Sequence, residues 1–136
     1  MNHEQFITLE TAKLAKQAGF DWEVYSCYYK SSPDRVSTNG TLTSNFNGYA
    51  FQHIAISAPT QSVLQKWLRE VKEIIVEPIY DLYDHCFYCR FANNKSKNWQ
   101  YIVNRYDDGE VYIKLCFNTY ESTLEAGLQK CLTLII

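Results

Sequence analysis

The chain has 136 residues, of which 46% are hydrophobic and 21% charged, and its formal net charge is −2. This size and composition can bury a core, which excludes a disordered protein and predicts a single domain over residues 1–136. The mild acidity disfavours nucleic acid as a partner, because duplex binding usually selects for a basic domain. No apolar run approaches the ~18 residues of a membrane span, and the polar start lacks a signal-peptide pattern. A cytoplasmic location without a membrane partner is expected.

The first predicted element is a helix over residues 9–18. Thr8 is expected to be its N-cap, and Gly19 can end it in the left-handed conformation. Residues 21–30 (DWEVYSCYYK) are rich in aromatic and β-branched side chains and predict a strand. The chain therefore begins with a helix followed by a strand.

A long polar stretch covers residues 31–48 and contains several turn signals. Either a hairpin around Asn39 and Gly40 or a mobile loop is expected there. Residues 49–56 (YAFQHIAI) then predict another strand.

The strongest helix prediction follows residues 57–60, which supply two capping hydroxyls and a proline near the first turn. Apolar residues then recur three and four apart along 63–75, a spacing typical of one buried helical stripe. Trp67 is the largest of them and is expected to anchor the helix in the core. Its truncation to alanine would cost about 3–5 kcal/mol.

The second half predicts a strand meander closed by a helix. The strands are expected at 75–80, 86–92, 99–106 and 110–117. Thr119 is the expected cap of the last helix, and Glu121 and Glu125 are expected on its solvated face. The order of elements predicts an α+β domain: an antiparallel sheet of about five to six strands with helices packed on one face.

Two segments carry a family resemblance. Residues 56–70 (ISAPTQSVLQKWLRE) and 119–128 (TYESTLEAGL) resemble a family of small proteins of Bacteroidales and their phages. Its pattern is an APTxxxxxKWLRE helix, a tyrosine-rich meander and a closing YExxLEAGL helix, and the likeness covers roughly the second two-thirds of the chain. The resemblance implies a cytosolic protein of a gut bacterium or its phage, and it implies no activity.

The cysteines predict neither a metal nor a redox centre. Their odd number, five, indicates reduced thiols in a cytosolic chain. Cys86 and Cys89 form a C-x-x-C beside His85, but the intervening Phe-Tyr favours a strand that sends the two thiols to opposite faces. A metal would need further ligands, for which the candidates are Cys27, His53 and Cys116. No metal site and no cofactor are therefore predicted.

Catalytic signatures are also lacking in the sequence. His3, His53 and His85 have no local link to a nucleophile, and the glycine-rich phosphate-binding motifs do not occur. The pair Asp107 and Asp108 is typical of turn chemistry. The sequence does not predict an enzyme, and no catalytic residue is assigned.

One face of the meander is a candidate binding surface. Val111, Ile113 and Leu115 alternate with Tyr112 and Lys114, so the latter two are expected to face away from the helices. The same alternation groups tyrosines, a tryptophan and cations on that face. The predicted surface comprises Tyr88, Arg90, Trp99, Tyr101, Arg105, Tyr112 and Lys114.

A surface of rings and cations suits docking to a protein or stacking on bases. Alternatively, the N-terminal strands or the 31–48 loop cover this face, and the tyrosines form a second core. A one-residue slip of register would invert each assignment.

Three functions stay open at this point. The first is a non-catalytic binding or accessory protein that acts through interaction with another protein or with itself. The second is a nucleic-acid-binding module, since helix–meander–helix order is similar to that of double-stranded-RNA-binding domains, although Glu121 and Glu125 would repel phosphate. The third is a small-ligand or nucleotide sequestering protein in which the 31–48 loop closes over the ligand.

Overall fold

A computed structural model describes residues 4–38, 40, 42–106 and 111–136, and for 104–106 and 111–113 it describes the backbone alone. The helices are α1 (Leu9–Gln17), α2 (Gln61–Val71) and α3 (Tyr120–Ile135), with one 3-10 turn at Tyr49–Phe51. The strands are β1 (Ser26–Tyr29), β2 (Ser32–Thr38), β3 (Ala55–Ser57), β4 (Ile74–Asp81), β5 (Cys86–Asn93), β6 (Gln100–Tyr101), β7 (Val103–Tyr106) and β8 (Val111–Lys114). The predicted α+β class is confirmed. Within the described part of the chain, no helix has the length and apolar character needed to cross a membrane.

The strands form two three-stranded antiparallel sheets, ordered β2-β1-β3 and β4-β5-β6, and a two-stranded ladder of β7 and β8. The second sheet and the ladder are continuous through Ile102. Its N–H donates to the carbonyl of Cys89 (3.2 Å), and its carbonyl accepts from the N–H of Leu115 (2.8 Å). Phe87 and Phe117 close a further antiparallel bridge. The chain after β8 thus returns to the start of β5.

The core lies between the helices and the sheets. Helix α3 packs on β4 and β5 and also contacts α1 and α2. Trp67 is 1% exposed, and its ring meets that of Phe20 edge-on at 5.4 Å between centroids, so its predicted role as core anchor is confirmed. Gly127 lets α3 approach the sheet closely. A Cβ there would lie 2.7 Å from Cγ2 of Val76 and closer still to Sγ of Cys89.

The predicted caps Thr8 and Thr119 are confirmed, and of the two hydroxyls available before α2 the cap is Thr60. Thr8, Thr60 and Thr119 each accept a hydrogen bond from the backbone N–H three residues later, at 3.3, 3.4 and 3.0 Å. Gly19 adopts φ +96°, the left-handed conformation that ends α1. The helix boundaries therefore follow from local chemistry.

The expectation of a solvated acidic face on α3 is wrong for Glu125. Glu121 is exposed, but Glu125 is buried and joins three helices. One carboxylate oxygen accepts from the backbone N–H of Thr8 (2.9 Å), from its hydroxyl (3.0 Å) and from the Thr11 hydroxyl, while the other accepts from Nε2 of Gln61 (2.9 Å). A buried carboxylate needs such donors, because desolvation would otherwise be costly.

The prediction for residues 31–48 needs correction as well. Residues 32–38 form β2, which pairs with β1 through a turn at Lys30 and Ser31. The turn residue Asn39 lies outside the described residues. Residues 49–56 are not one strand but the 3-10 turn followed by β3. Asn47 fixes this change of direction, because its side chain accepts from the N–H of Ser57 (3.0 Å) and donates to the carbonyl of Phe20 (2.9 Å).

The expectation that all cysteines are reduced is wrong for two of them. Cys86 and Cys116 form a disulfide, and the Phe87–Phe117 bridge brings their Cα atoms to 5.8 Å. The other three cysteines are free and buried: Cys27, Cys89 and Cys131. Burial raises the pKa of Cys89 and of Cys131 to about 12, so both are inert thiols at neutral pH.

Candidate binding face

The candidate site is the side of β4, β5 and β6 that faces away from α3, which we call the outer face. Val76 and Cys89 point towards α3 and are buried. Because side chains alternate along a strand, Glu77 and Arg90 project to the opposite side. Antiparallel register places Glu77 opposite Arg90, and Arg90 opposite Tyr101. One row of side chains therefore crosses all three strands.

Arg90 is the centre of this row. Its Cζ lies 4.0 Å from the ring centroid of Trp99, a cation–π distance. Its Nε donates to Oε1 of Glu77 at 2.7 Å, and this hydrogen bond raises the pKa of the guanidinium above its usual range. Arg90 is thereby fixed between a carboxylate and an indole ring.

Lys114 provides a second cation on the outer face. It comes from β8, and its Nζ lies 3.8 Å from the ring centroid of Tyr101 and 5.8 Å from that of Tyr88. The Tyr88 hydroxyl donates to the carboxylate of Asp84 in the turn between β4 and β5. That hydrogen bond raises the pKa of Tyr88 to about 12. The hydroxyl therefore stays protonated and acts as a donor over the whole physiological range.

The structure brings together five of the seven predicted surface residues, Tyr88, Arg90, Trp99, Tyr101 and Lys114. The backbones of Arg105 and Tyr112 are paired in the β7–β8 ladder. Their side chains lie outside the described residues, so their place on this face stays a prediction.

The alternative of a second core does not describe these rings. Trp99 is 42% exposed, and Tyr88 and Tyr101 are half-buried. None of the three belongs to the hydrophobic core cluster. The outer face is thus an ordered but accessible aromatic surface.

Two residues that hold this face together were missed by the sequence analysis. Glu77 and Asp84 each fix one of the predicted residues by a hydrogen bond. The signal for Glu77 was present in principle, since a carboxylate directly opposite an arginine is a favourable cross-strand pair. It can be used only once the register of β4 and β5 is known.

The remaining candidates do not assemble a reactive site among the described residues. His53 is exposed and contacts the Gln52 side chain, and His85 lies in the β4–β5 turn with φ +51°. His3, Asp107 and Asp108 lie outside the described residues. Within residues 4–38, 40, 42–106 and 111–136, no three His, Cys, Asp or Glu residues are grouped so that they could hold a metal ion.

Comparison with known proteins gives no relative from which a function could be transferred. No protein-family model, no curated protein and no solved structure matches the chain.

Proposed function

We propose that this chain is a non-catalytic binding protein that docks another protein on its outer face. The observation that supports this best is the stack of Arg90 on the partly exposed Trp99 ring, with Glu77 holding the guanidinium in place. Tryptophan, tyrosine and arginine are the residues that dominate the binding energy of protein interfaces. A pre-ordered set of them loses little side-chain entropy when a partner binds.

Charge favours a protein over nucleic acid as the partner. The positive charge of Arg90 is already compensated by Glu77, so this residue offers little to a phosphate backbone. A nucleic-acid-binding module that uses the same face is the second candidate. It is supported by the rings of Trp99 and Tyr101, on which bases could stack next to Lys114.

A peptide display library tests the proposal directly. The immobilised protein is used to select peptides, and each selected peptide is then measured against Trp99→Ala and Lys114→Ala. We expect both variants to weaken binding by about tenfold or more, because central aromatic and cationic contacts carry most of the energy. Tyr49→Ala is the matched control, since Tyr49 is 88% exposed on the 3-10 turn and lies outside the outer face.

Two outcomes would contradict protein docking. One is that the selected peptides bind the Trp99 and Lys114 variants as well as they bind the native chain. The other is that peptides fail while a random single-stranded oligonucleotide binds at low salt and is lost in the same variants. The second outcome would favour the nucleic-acid candidate.

The proposal also covers the organism and the cellular compartment of the protein. From the resemblance of the α2 and α3 sequences, we place the protein in the cytoplasm of a Bacteroidales bacterium or of a cell infected by its phage. The disulfide provides a test, because the cytosol normally keeps thiols reduced. A cytoplasmic setting therefore requires that the Cys86–Cys116 bond of the structure is open in the cell, and acid-quenched alkylation of protein taken from its host would then find both thiols modified. A fully protected pair would contradict the cytoplasmic setting.

A further inference from the structure

A cavity borders the outer face at Trp99. Its volume is about 430 Å³, within the range of ligand-binding clefts. Ile75 of β4 and Ala92 of β5 line it together with the indole of Trp99. Arg90, which lies over the Trp99 ring, does not line the cavity. Another part of the indole is therefore open to an occupant.

The rim of the cavity carries two cations. Arg69 comes from the last turn of α2, and Lys97 from the turn after β5. The single ion pair found in the described part of the chain joins Arg90 to Glu77, so neither rim cation belongs to one. The one carboxylate on the rim, that of Glu73, accepts a hydrogen bond from Nδ2 of Asn94 at 3.2 Å. The rim thus presents two cations and one carboxylate, a net positive charge, around an apolar floor.

The turn that supplies Lys97 is held by its own hydrogen bonds. The side-chain Oδ1 of Asn93 accepts from the N–H groups of Lys95 (3.0 Å) and Ser96 (2.8 Å). The backbone carbonyl of Asn93 accepts from the N–H of Lys97 (3.1 Å). The backbone of Asn94 is also tied to the Glu73 carbonyl at 3.2 Å. The cavity therefore exists before a ligand arrives.

We propose that this cavity binds an acidic peptide segment through one large apolar side chain. The apolar side chain packs against Trp99 and Ile75, and flanking carboxylates pair with Arg69 and Lys97. The inference rests on the proposed docking function and specifies its partner. The aliphatic floor suits an apolar side chain better than a nucleobase, which presents polar edges that Ile75 and Ala92 would leave unpaired.

The test uses three acetylated and amidated pentapeptides. They are Asp-Glu-Phe-Glu-Asp, its alanine analogue Asp-Glu-Ala-Glu-Asp, and the basic Lys-Arg-Phe-Arg-Lys. Binding is followed by the NMR signal of the Trp99 indole N–H, which is assigned by its loss in Trp99→Phe. We expect the acidic phenylalanine peptide to shift this signal at sub-millimolar concentration, and the other two to bind at least about tenfold more weakly.

Charge reversal tests whether the two rim cations bind the acidic peptide. Arg69→Glu combined with Lys97→Glu should weaken the acidic peptide by at least about tenfold. The matched control is Lys66→Glu combined with Lys95→Glu. Lys66 and Lys95 are exposed on the same helix and in the same turn but do not line the cavity, so the control should change affinity less than about twofold. Circular dichroism verifies that all variants fold.

The inference is overturned if the basic peptide shifts the indole signal equally, if the control pair loses as much affinity, or if no peptide shifts it at millimolar concentration. A single-stranded oligonucleotide that moves the signal at lower concentration would also overturn it in favour of nucleic acid. Library-selected peptides that need Trp99 and Lys114 but ignore Arg69 and Lys97 would leave protein docking intact. Such a result would refute only the acidic partner.

Discussion

Alanine in place of Gly127 tests the close approach of α3 to the second sheet. The added Cβ would lie 2.7 Å from Cγ2 of Val76 and nearer to Sγ of Cys89, whereas ordinary contact begins at 3.4 Å. Both neighbours are buried, at 1% and 0% exposure, so neither can swing out into solvent. Overpacking of a core costs about 1–3 kcal/mol, and two buried clashes place this site at the upper end.

Helix propensity offsets part of that cost. Alanine is favoured over glycine inside a helix by about 1 kcal/mol. The expected net effect of Gly127→Ala is therefore a loss of about 2 kcal/mol in the free energy of unfolding. For a domain of this size the loss corresponds to a melting temperature lower by about 6–10 °C.

Urea denaturation of four proteins measures the effect: the native chain, Gly127→Ala, Cys89→Ala and the double variant. Removing Sγ of Cys89 takes away the nearest obstacle, so alanine at 127 should cost clearly less in the Cys89→Ala background. The difference between the two costs is the coupling energy of the contact. A Gly127→Ala protein as stable as the native chain, or an unchanged cost in the double variant, would refute the packing described for α3.

Three further results are expected. Glu125→Ala should lower the free energy of unfolding in urea by about 3–4 kcal/mol, because it leaves several buried donors unpaired. Glu121→Ala is the control, since Glu121 lies one turn earlier and is exposed, and it should cost almost nothing. Equal effects of the two substitutions would contradict the buried network. Tyr88 should ionise near pH 12 rather than 10. The hydrogen bond from Tyr88 to Asp84 therefore stabilises the fold fully below pH 10, and this stabilisation is lost as the pH rises through 12. Ultraviolet titration should show that the late ionisation disappears in Asp84→Asn. Reduction of the disulfide, which spans 30 residues, should cost about 3–4 kcal/mol. Alkylation of the unfolded chain in denaturant, followed by intact-mass measurement, should count three free cysteines before reduction and five after it.

The starts of the helices could be predicted from the sequence, because side chains next to each start determine it. A threonine before an apolar stripe satisfies the first orphan N–H groups of a helix wherever that helix lies, so Thr8 and Thr119 could be assigned from sequence. For α2 the sequence left two hydroxyls open, Ser57 and Thr60. The strand at 32–38 could not be assigned, because its Ser, Pro and Asp residues have low strand propensity. Pairing with β1 overrides that propensity.

The candidate site could likewise be predicted only in part. Alternation along β5 placed Tyr88 and Arg90 on one side of the sheet, but the contacts of Arg90 with Glu77 and Trp99 depend on register across two neighbouring strands. Glu125 shows the limit most clearly. Its acidic i, i+4 spacing with Glu121 is typical of a solvated helix face, and its real partners are 64 to 117 residues away in sequence. An odd number of cysteines likewise leaves room for one bonded pair.

The network around Glu125 also has a consequence for how the chain folds. Helix α1 leaves the ribosome before α3, and its N-cap is held by a carboxylate that is synthesised 117 residues later. At about 5–20 residues per second, α1 waits roughly 6 to 23 seconds for that partner. A nine-residue helix is marginal on its own, so α1 depends on packing against β3 and α3 for its stability. The docking of α3 on α1 is therefore expected to be a late step in folding, and contacts of such long sequence separation slow it further.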